Sequence, residues 1–278
     1  MANTETVIAV GIVGFGHLGE YLAERIQREG ASAGLQLAFV WNRSKERLRE
    51  KLTSDLILDD LTEFTQRGAD LIVEVCHPDI VRDFGERFLC HAHFLVGSPS
   101  SLSDSTLEGR LRCTAELHGK TLYVPSGALW GGVDIQRLSE RGGLKSLLVR
   151  MSKHPSCFRL APPLHHDWSE GEGRHVLFSG PVHDLCPLAP NNVNTMAAAA
   201  LAAPDLGFSG VTGEIVSDTE LSQYHIVEVE VTGHDGFTVT TMRRNPAQLG
   251  AVTGSATYQS FWSSILVCKG HGGRVFLC

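Results

Sequence analysis

The chain has 278 residues, 42% hydrophobic and 20% charged, a balance that fits one large or two modest globular domains with a buried core. Lysine and arginine number 24 against 31 aspartates and glutamates, a formal net charge of −7 with no basic block, so nucleic acid and anionic membrane surfaces are poor partners. No run approaches the roughly 20 uncharged apolar residues of a membrane span, and the opening MANTETVIAVGIVGFG has no basic n-region or cleavage site. These features point to the cytoplasm. The seven cysteines (Cys76, Cys90, Cys113, Cys157, Cys186, Cys268, Cys278) include no CxxC pair, which suggests reduced thiols rather than a disulfide framework or a zinc ribbon.

Thr6 to Val13 is a near-continuous Val/Ile run, the pattern of a parallel strand buried on both faces. A glycine cluster follows, then Leu18, Tyr21, Leu22 and Ile26 at helical spacing, then an apolar run from Leu35 to Trp41, which completes a βαβ unit. The alternation continues with a helix over 44–52, a short strand at 56–57, a helix over 59–65, a strand over 70–75 and a helix opened by Pro78 and running to about Cys90. A strand at 94–96, a helix over 103–118 and a strand at 122–124 complete the series. The fold class expected is α/β, a doubly wound Rossmann-type parallel sheet with right-handed crossovers, followed by a second α+β domain. The boundary is placed at 134/135, a dinucleotide-binding domain over 1–134 and a substrate domain over 135–278.

In the second part, strands are expected at 144–151 and 176–178, separated by a Pro, His and Gly rich excursion from Ala161 to Arg174 that reads as an exposed loop. An Ala-rich helix runs from near Asn194 to Ala203. Strands follow at 213–218 and 226–231, the latter alternating Ile226, Glu228, Glu230 with Val227, Val229, Val231, as half-buried antiparallel strands do. A last amphipathic helix at about 255–267 carries Tyr258, Phe261, Trp262 and Ile265, able to pack back on the first domain. The Gly-rich tail beyond it reads as loose.

Gly14-Phe15-Gly16-His17-Leu18-Gly19 is a GxGxxG between a buried strand and a helix, the context that makes the motif informative. Gly14 permits the tight turn, Gly16 leaves room for a pyrophosphate, Gly19 lets helix pack on strand, and the helix N-terminus, with His17 and Leu18, supplies amide donors. At the end of the second strand, where NAD sites place an Asp or Glu, the chain reads Trp41-Asn42-Arg43-Ser44. Asn42 can bond a ribose and Arg43 can grip a 2′-phosphate, so the expected cofactor is NAD or NADP, with NADP tolerated or preferred. A solvated helix face beginning at Arg43 would read the same. Cys76-His77-Pro78 falls where this fold lines its cofactor crevice.

Ser126-Gly127-Ala128 lies at a strand end just before the pattern changes, which suits either the floor of an interdomain cleft or a plain linker turn. Asn191, Asn192 and Asn194 precede the Ala-rich helix. One of them suffices as N-cap, which leaves an amide for cofactor or substrate, with Asn192 the substrate candidate. Of thirteen histidines, His225 is singled out by its place at the start of an alternating strand and its near-neutral intrinsic pKa. His91-x-His93 and His165-His166-Asp167 lack a third ligand at the usual spacing, so no metal is expected.

The segments Val13–Gly19, Val40–Arg43, Leu95–Ser100, Ser126–Gly131, Asn192–Ala198 and Tyr224–Ile226 together make the chain resemble the L-aspartate dehydrogenase family, over nearly its whole length. The resemblance implies dinucleotide contacts at Ala128 and Asn194 and a catalytic role for His225. Microbial members read Asn-(Ile/Val)-His-Glu-Ile around that histidine, whereas this chain reads Gln223-Tyr224-His225-Ile226-Val227. The implied reaction is oxidation of L-aspartate through iminosuccinate to oxaloacetate and ammonia, or its reverse. The partners implied are a dicarboxylic amino acid and a second copy of the chain as a homodimer. Lys153, Arg159, Arg174, Arg243 and Arg244 are candidates for the substrate carboxylates, unranked by sequence. The alternatives are an NADP-dependent imine or β-hydroxyacid reductase, and a non-catalytic NAD(P)H sensor or scaffold.

Overall fold

The computed structural model describes residues 7–164, 173–252, 254 and 256–278. The His165-His166-Asp167 cluster, most of the excursion that holds it, Thr6 and Ser255 lie outside the described residues.

β1 (Ile8–Val13) buries its last four residues, and α1 (His17–Ala33) packs Leu22, Ala23 and Ile26 beneath it before ending at Gly34, whose φ of 68° closes the helix. β2 (Leu35–Trp41) pairs in parallel with β1. The expected helix over 44–52 is the shorter α2 (Glu46–Lys51). The expected strand at 56–57 contracts to one parallel bridge between Val40 and Ile57. The expected helix over 59–65 is a 3-10 turn, Leu61–Arg67, whose Asp60 cap accepts from the Thr62 amide at 2.8 Å. These segments are too short to propagate an α-helix or a ladder against the sheet edge.

β3 (Leu71–Glu74), α3 (Pro78–His91), β4 (His93–Val96), α4 (Ser105–Leu117) and β5 (Thr121–Val124) follow as the sequence predicts. Pro78 opens α3, and the Asp104 carboxylate caps α4 through the Thr106 and Leu107 amides. After β5 the chain leaves this sheet. It forms α5 (Gly132–Glu140), β6 (Leu144–Lys153), β7 (Arg174–Pro181), the short α6 (Val182–Leu185), α7 (Asn194–Ala202), the short α8 (Gly207–Gly210), β8 (Thr212–Asp218), β9 (Tyr224–Gly233) and β10 (Thr238–Pro246). It then returns with α9 (Ala256–Val267) and β11 (Arg274–Leu277).

The first sheet is parallel throughout in the order β11-β5-β4-β3-β1-β2, and the second is mixed in the order β10-β9-β6-β8-β7. The order reverses at β1, with β2 on one side and β3 on the other, the switch point that opens a crevice at the carboxyl ends of these strands. One expectation is corrected: the tail read as loose is β11, held in register against β5 from Arg274–Thr121 to Leu277–Val124. The antiparallel reading of 226–231 is met, since β9 runs antiparallel to both β10 and β6, while β6 and β8 run parallel, joined by a crossover through β7 and α6 to α8. The alternation at 226–231 holds: Val227, Val229 and Val231 are buried and the intervening residues half-buried.

Apolar side chains gather in two cores. One, under α1 and α9, joins Val10, Ile12, Leu22 and Ile26 to Tyr123, Phe261, Trp262 and Ile265, while the other runs from α3 and α4 into the second sheet. α9 thus packs back on the first sheet, with Arg25 of α1 stacked 4.7 Å over the Trp262 ring. α7 is buried from Thr195 to Ala202 and packs on α5, α8 and the 3-10 turn Pro99–Ser103. Its alanines allow that close approach between the two sheets.

Candidate active-site cleft

A cleft of about 1040 Å³ lies between the sheets, walled on one side by Gly16, His17, Leu18, Gly127 and Ala128 and on the other by Met151, Lys153, His225, Val227 and Asn245, with residues of the 246–252 segment and Gly254 at its edge.

The glycine turn is built as its spacing predicts. Gly14 has φ +112°, and a Cβ there would stand 2.7 Å from Cys76 Cβ, so β1's turn and β3's turn touch. A Cβ on Gly19 would lie 2.1 Å from the Gly14 carbonyl oxygen, whereas one on Gly16 would meet nothing within 4 Å. Gly16 is therefore small for the sake of the space beside it, at the exposed N-terminus of a 17-residue helix. Asn42 is used structurally: its Oδ1 accepts from the Phe15 amide at 3.1 Å and its Nδ2 donates to the Ser44 carbonyl at 2.8 Å, lashing the glycine turn to the end of β2. Arg43 is exposed beside it.

Below this turn Glu74 is fully buried at the end of β3 and accepts from the amides of Cys76, His77 and Ser98 and from Ser98 Oγ, at 2.7 to 3.0 Å. Burial pushes its carboxyl above the ordinary range against the opposing pull of these donors. One side chain thus fixes both loops that follow β3 and β4. Sequence reading missed it because a Glu at a strand end carries no periodic signal. His77 is not in the cleft: its Nδ1 accepts from the Asp79 amide at 3.2 Å and caps α3.

Gly127 and Ala128 of the Ser126-Gly127-Ala128 turn line the cleft; the turn is closed locally by the Leu129 amide donating to the Ser126 carbonyl at 2.9 Å, and its other ties come from distant sequence. The Ser126 amide donates to the Cys278 carbonyl at 2.6 Å, while the Gly127 carbonyl accepts from Ser260 Oγ at 3.0 Å and from Arg243 at 3.2 Å. Neither asparagine caps α7. The N-cap position is Val193, with no side-chain bond; Asn194 Nδ2 instead donates to the Gly97 carbonyl at 3.2 Å, and Asn192 Oδ1 accepts from the Arg159 amide at 3.0 Å. Capping, the ordinary role for such residues, is absent here.

His225 is 4% exposed and lines the cleft. Its ring bonds the Ala251 carbonyl, and its pKa is pushed down to about 4, by burial first and by the Lys153 charge second. With Nε2 unpartnered, the bond to Ala251 falls to Nδ1–H, which leaves Nε2 as the lone-pair nitrogen. Gln223 stands on the cleft where microbial sequences carry Asn. Ile226, in place of their Glu, faces away from it, since side chains alternate along β9. Among the described residues the buried side-chain polar atoms without a partner are Asn192 Nδ2, Asn194 Oδ1 and His225 Nε2, and all three residues line this cleft.

The cationic candidates separate. Lys153 and Arg159 line the cleft. Arg243 and Arg244 flank a separate hollow with Trp130 and Met242, and Arg174 is exposed at the start of β7. His91 packs against the Phe64 ring and His93 Nδ1 accepts from the Thr121 amide at 2.9 Å. No cluster of three potential metal ligands occurs among the described residues, and no described helix is long and apolar enough to cross a membrane.

Residues 134–264 match the model of the aspartate dehydrogenase C-terminal family, and residues 14–125 match that of the homoserine dehydrogenase NAD-binding domain. An aspartate dehydrogenase domain-containing protein of Danio rerio is 69% identical over 274 residues, 99% of each chain. The L-aspartate dehydrogenase of Methanopyrus kandleri is 32% identical over 229 residues, 80% of this chain and 82% of that one. The crystal structure of aspartate dehydrogenase from Thermotoga maritima superposes with a TM-score of 0.71 at 18% identity, over 95% of this chain and 97% of that one.

Proposed function

The chain belongs to the aspartate dehydrogenase family, and from that premise we propose that it is an NAD(P)-dependent L-aspartate dehydrogenase. L-aspartate, oxidised cofactor and water would give oxaloacetate, ammonium, reduced cofactor and a proton, or the reverse. The observation that carries this reading is the set of three buried, unpartnered polar atoms on Asn192, Asn194 and His225 around one cleft. Such atoms are expensive in a packed protein unless a ligand completes them.

The residues present fit a nicotinamide dinucleotide. The open space at Gly16 and the α1 amides would take the pyrophosphate, Ala128 and Asn194 would border the nicotinamide end, and Arg43, with no carboxylate at the end of β2, would accept a 2′-phosphate. The chemistry supplied by the bound cofactor is acceptance of the hydride from the substrate Cα, or its return. His225 Nε2, neutral and unprotonated, takes a proton from the substrate ammonium, because a hydride leaves readily only from beside a neutral amine. Loss of the hydride leaves an iminium, and His225, having passed the ammonium proton to solvent, takes a proton from the water that adds to the iminium carbon. His225 then returns that proton to the nitrogen of the carbinolamine, the hydroxyl proton leaves to solvent, and the C–N bond breaks to give the keto acid and ammonia.

The test is reductive amination by the purified protein, with NADPH and NADH compared on oxaloacetate and a panel of other keto acids. L-aspartate identified chirally, formed faster than any other amino acid, supports the reading. Tight cofactor binding without turnover on any keto acid would replace it with a sensor.

A further inference from the structure

Lys153 ends β6 with its side chain almost wholly buried, 5% exposed. Its Nζ donates to the Val252 carbonyl at 2.9 Å and lies 5.8 Å from the Phe158 ring centroid. Among the described residues no carboxylate reaches it. An ammonium buried against a carbonyl dipole, a ring face and the Cys157 thiol, with no carboxylate partner among the described residues, is unfavourable, and packed interiors do not ordinarily retain one.

Its position is set by the sheet. Ser152 pairs with Ile226 across β6 and β9, so the next step of the antiparallel register sets Lys153 against His225, and His225 pairs with Asn245 of β10. Lys153, His225 and Asn245 thus form a buried row across three neighbouring strands, all three on the cleft wall. The adjacent carbonyls of Ala251 and Val252 hold His225 and Lys153 respectively, so one segment orients both. Arg159, the other cationic group on the cleft, is exposed and already donates to the carbonyls of Ser156 and Phe158.

Resting on the reading above, we propose that Lys153 Nζ receives a substrate carboxylate and is the residue that makes the site select anionic keto and amino acids. The carboxylate supplies the missing counter-charge and, by neutralising Lys153, removes one of the two influences that hold His225 down. An anionic substrate therefore strengthens the base beside it.

The test uses the cofactor-loaded protein, titrated calorimetrically with malonate as a non-reacting dicarboxylate, for the wild type, Lys153→Met and Lys153→Arg. We expect malonate affinity to fall at least 30-fold in Lys153→Met and to recover in part in Lys153→Arg, with cofactor affinity within twofold throughout. The KM for oxaloacetate rises in parallel while kcat changes less, and the Tm of Lys153→Met does not fall, since an unpaired buried charge has been removed. Equal malonate affinity in wild type and Lys153→Met, or no malonate binding by the wild type, overturns the assignment. If the wild type fails to aminate oxaloacetate while malonate binding still depends on Lys153, the anion site stands and the aspartate reaction falls.

Discussion

Two glycines of one turn are small for opposite reasons, and substitution separates them. Gly19→Ala drives a methyl group into the Gly14 carbonyl, 2.1 Å from the ideal Cβ, so we expect a loss of roughly 3 kcal/mol in stability, the upper end of overpacking costs, read as a lowered Tm. Gly16→Ala meets open space, so we expect an unchanged Tm and cofactor binding weakened at least tenfold, about 1.4 kcal/mol, because the added methyl group fills the space we assign to the pyrophosphate. Equal effects on both readouts would contradict these separate roles. These positions were legible in sequence because the motif is local. Asn42 was only half legible: its place at the end of β2 could be read, whereas its clamp on Phe15 and Ser44 depends on how two loops meet. Lys153 was named among five cations and could not be singled out, since burial and the missing counter-charge are tertiary facts.

At the level of elements, the mixed second sheet interrupts the parallel first one, whose sixth strand comes from residues 274–277. β11 escaped sequence reading because Arg274-Val275-Phe276-Leu277 is only four residues long and follows three glycines in a four-residue stretch, Gly270, Gly272 and Gly273. β10 escaped because Thr238–Pro246 sits at an edge with most of its side chains exposed, so no alternation is imposed on it. The long, buried strands and the helices with apolar stripes were legible, since burial on both faces or on one stripe leaves a composition signal. The late return of the chain has a functional consequence, because Cys278 accepts from the Ser126 amide. Removing residues 274–278 strips β5 of its neighbour and frees the Ser126-Gly127-Ala128 turn. We expect a Tm several degrees lower, on the order of 2–4 °C for each kcal/mol lost, and weaker cofactor binding at a temperature where the shortened chain is still folded. Unaltered cofactor affinity in the folded, shortened protein would show that the tie to Ser126 is dispensable.

Across the whole molecule, the cleft brings together groups from both sheets whose burial couples function to stability. His225 titrates near 4 when folded against an ordinary 6.5, so the unfolded chain binds the extra proton between these values. Its contribution is complete above pH 6.5 and is lost as pH falls toward 4, worth about 3 kcal/mol at most. Lys153, at about 8 against 10.5, acts in a second window: its contribution is complete above 10.5 and is lost as pH falls to 8, so at neutral pH the molecule carries the full burden of burying that charge. Denaturant titrations across pH should therefore give a stability difference between wild type and His225→Asn that changes between pH 6.5 and 4, and one between wild type and Lys153→Met that changes between 8 and 10.5. Differences flat across those windows would contradict the burial of these groups as charges in waiting.

On the function proposed above, a neutral His225, held by Ala251 with Nε2 free, moves the protons of a hydride-transfer reaction in the cleft between the sheets. The most direct measurement sets reductive amination of oxaloacetate beside cofactor titration, for the wild type and for His225→Ala. We expect kcat to fall by at least 10²-fold in the variant, within the usual contribution of a general acid–base group, while cofactor affinity stays within twofold. A variant that turns over as fast as the wild type would contradict the role assigned to His225.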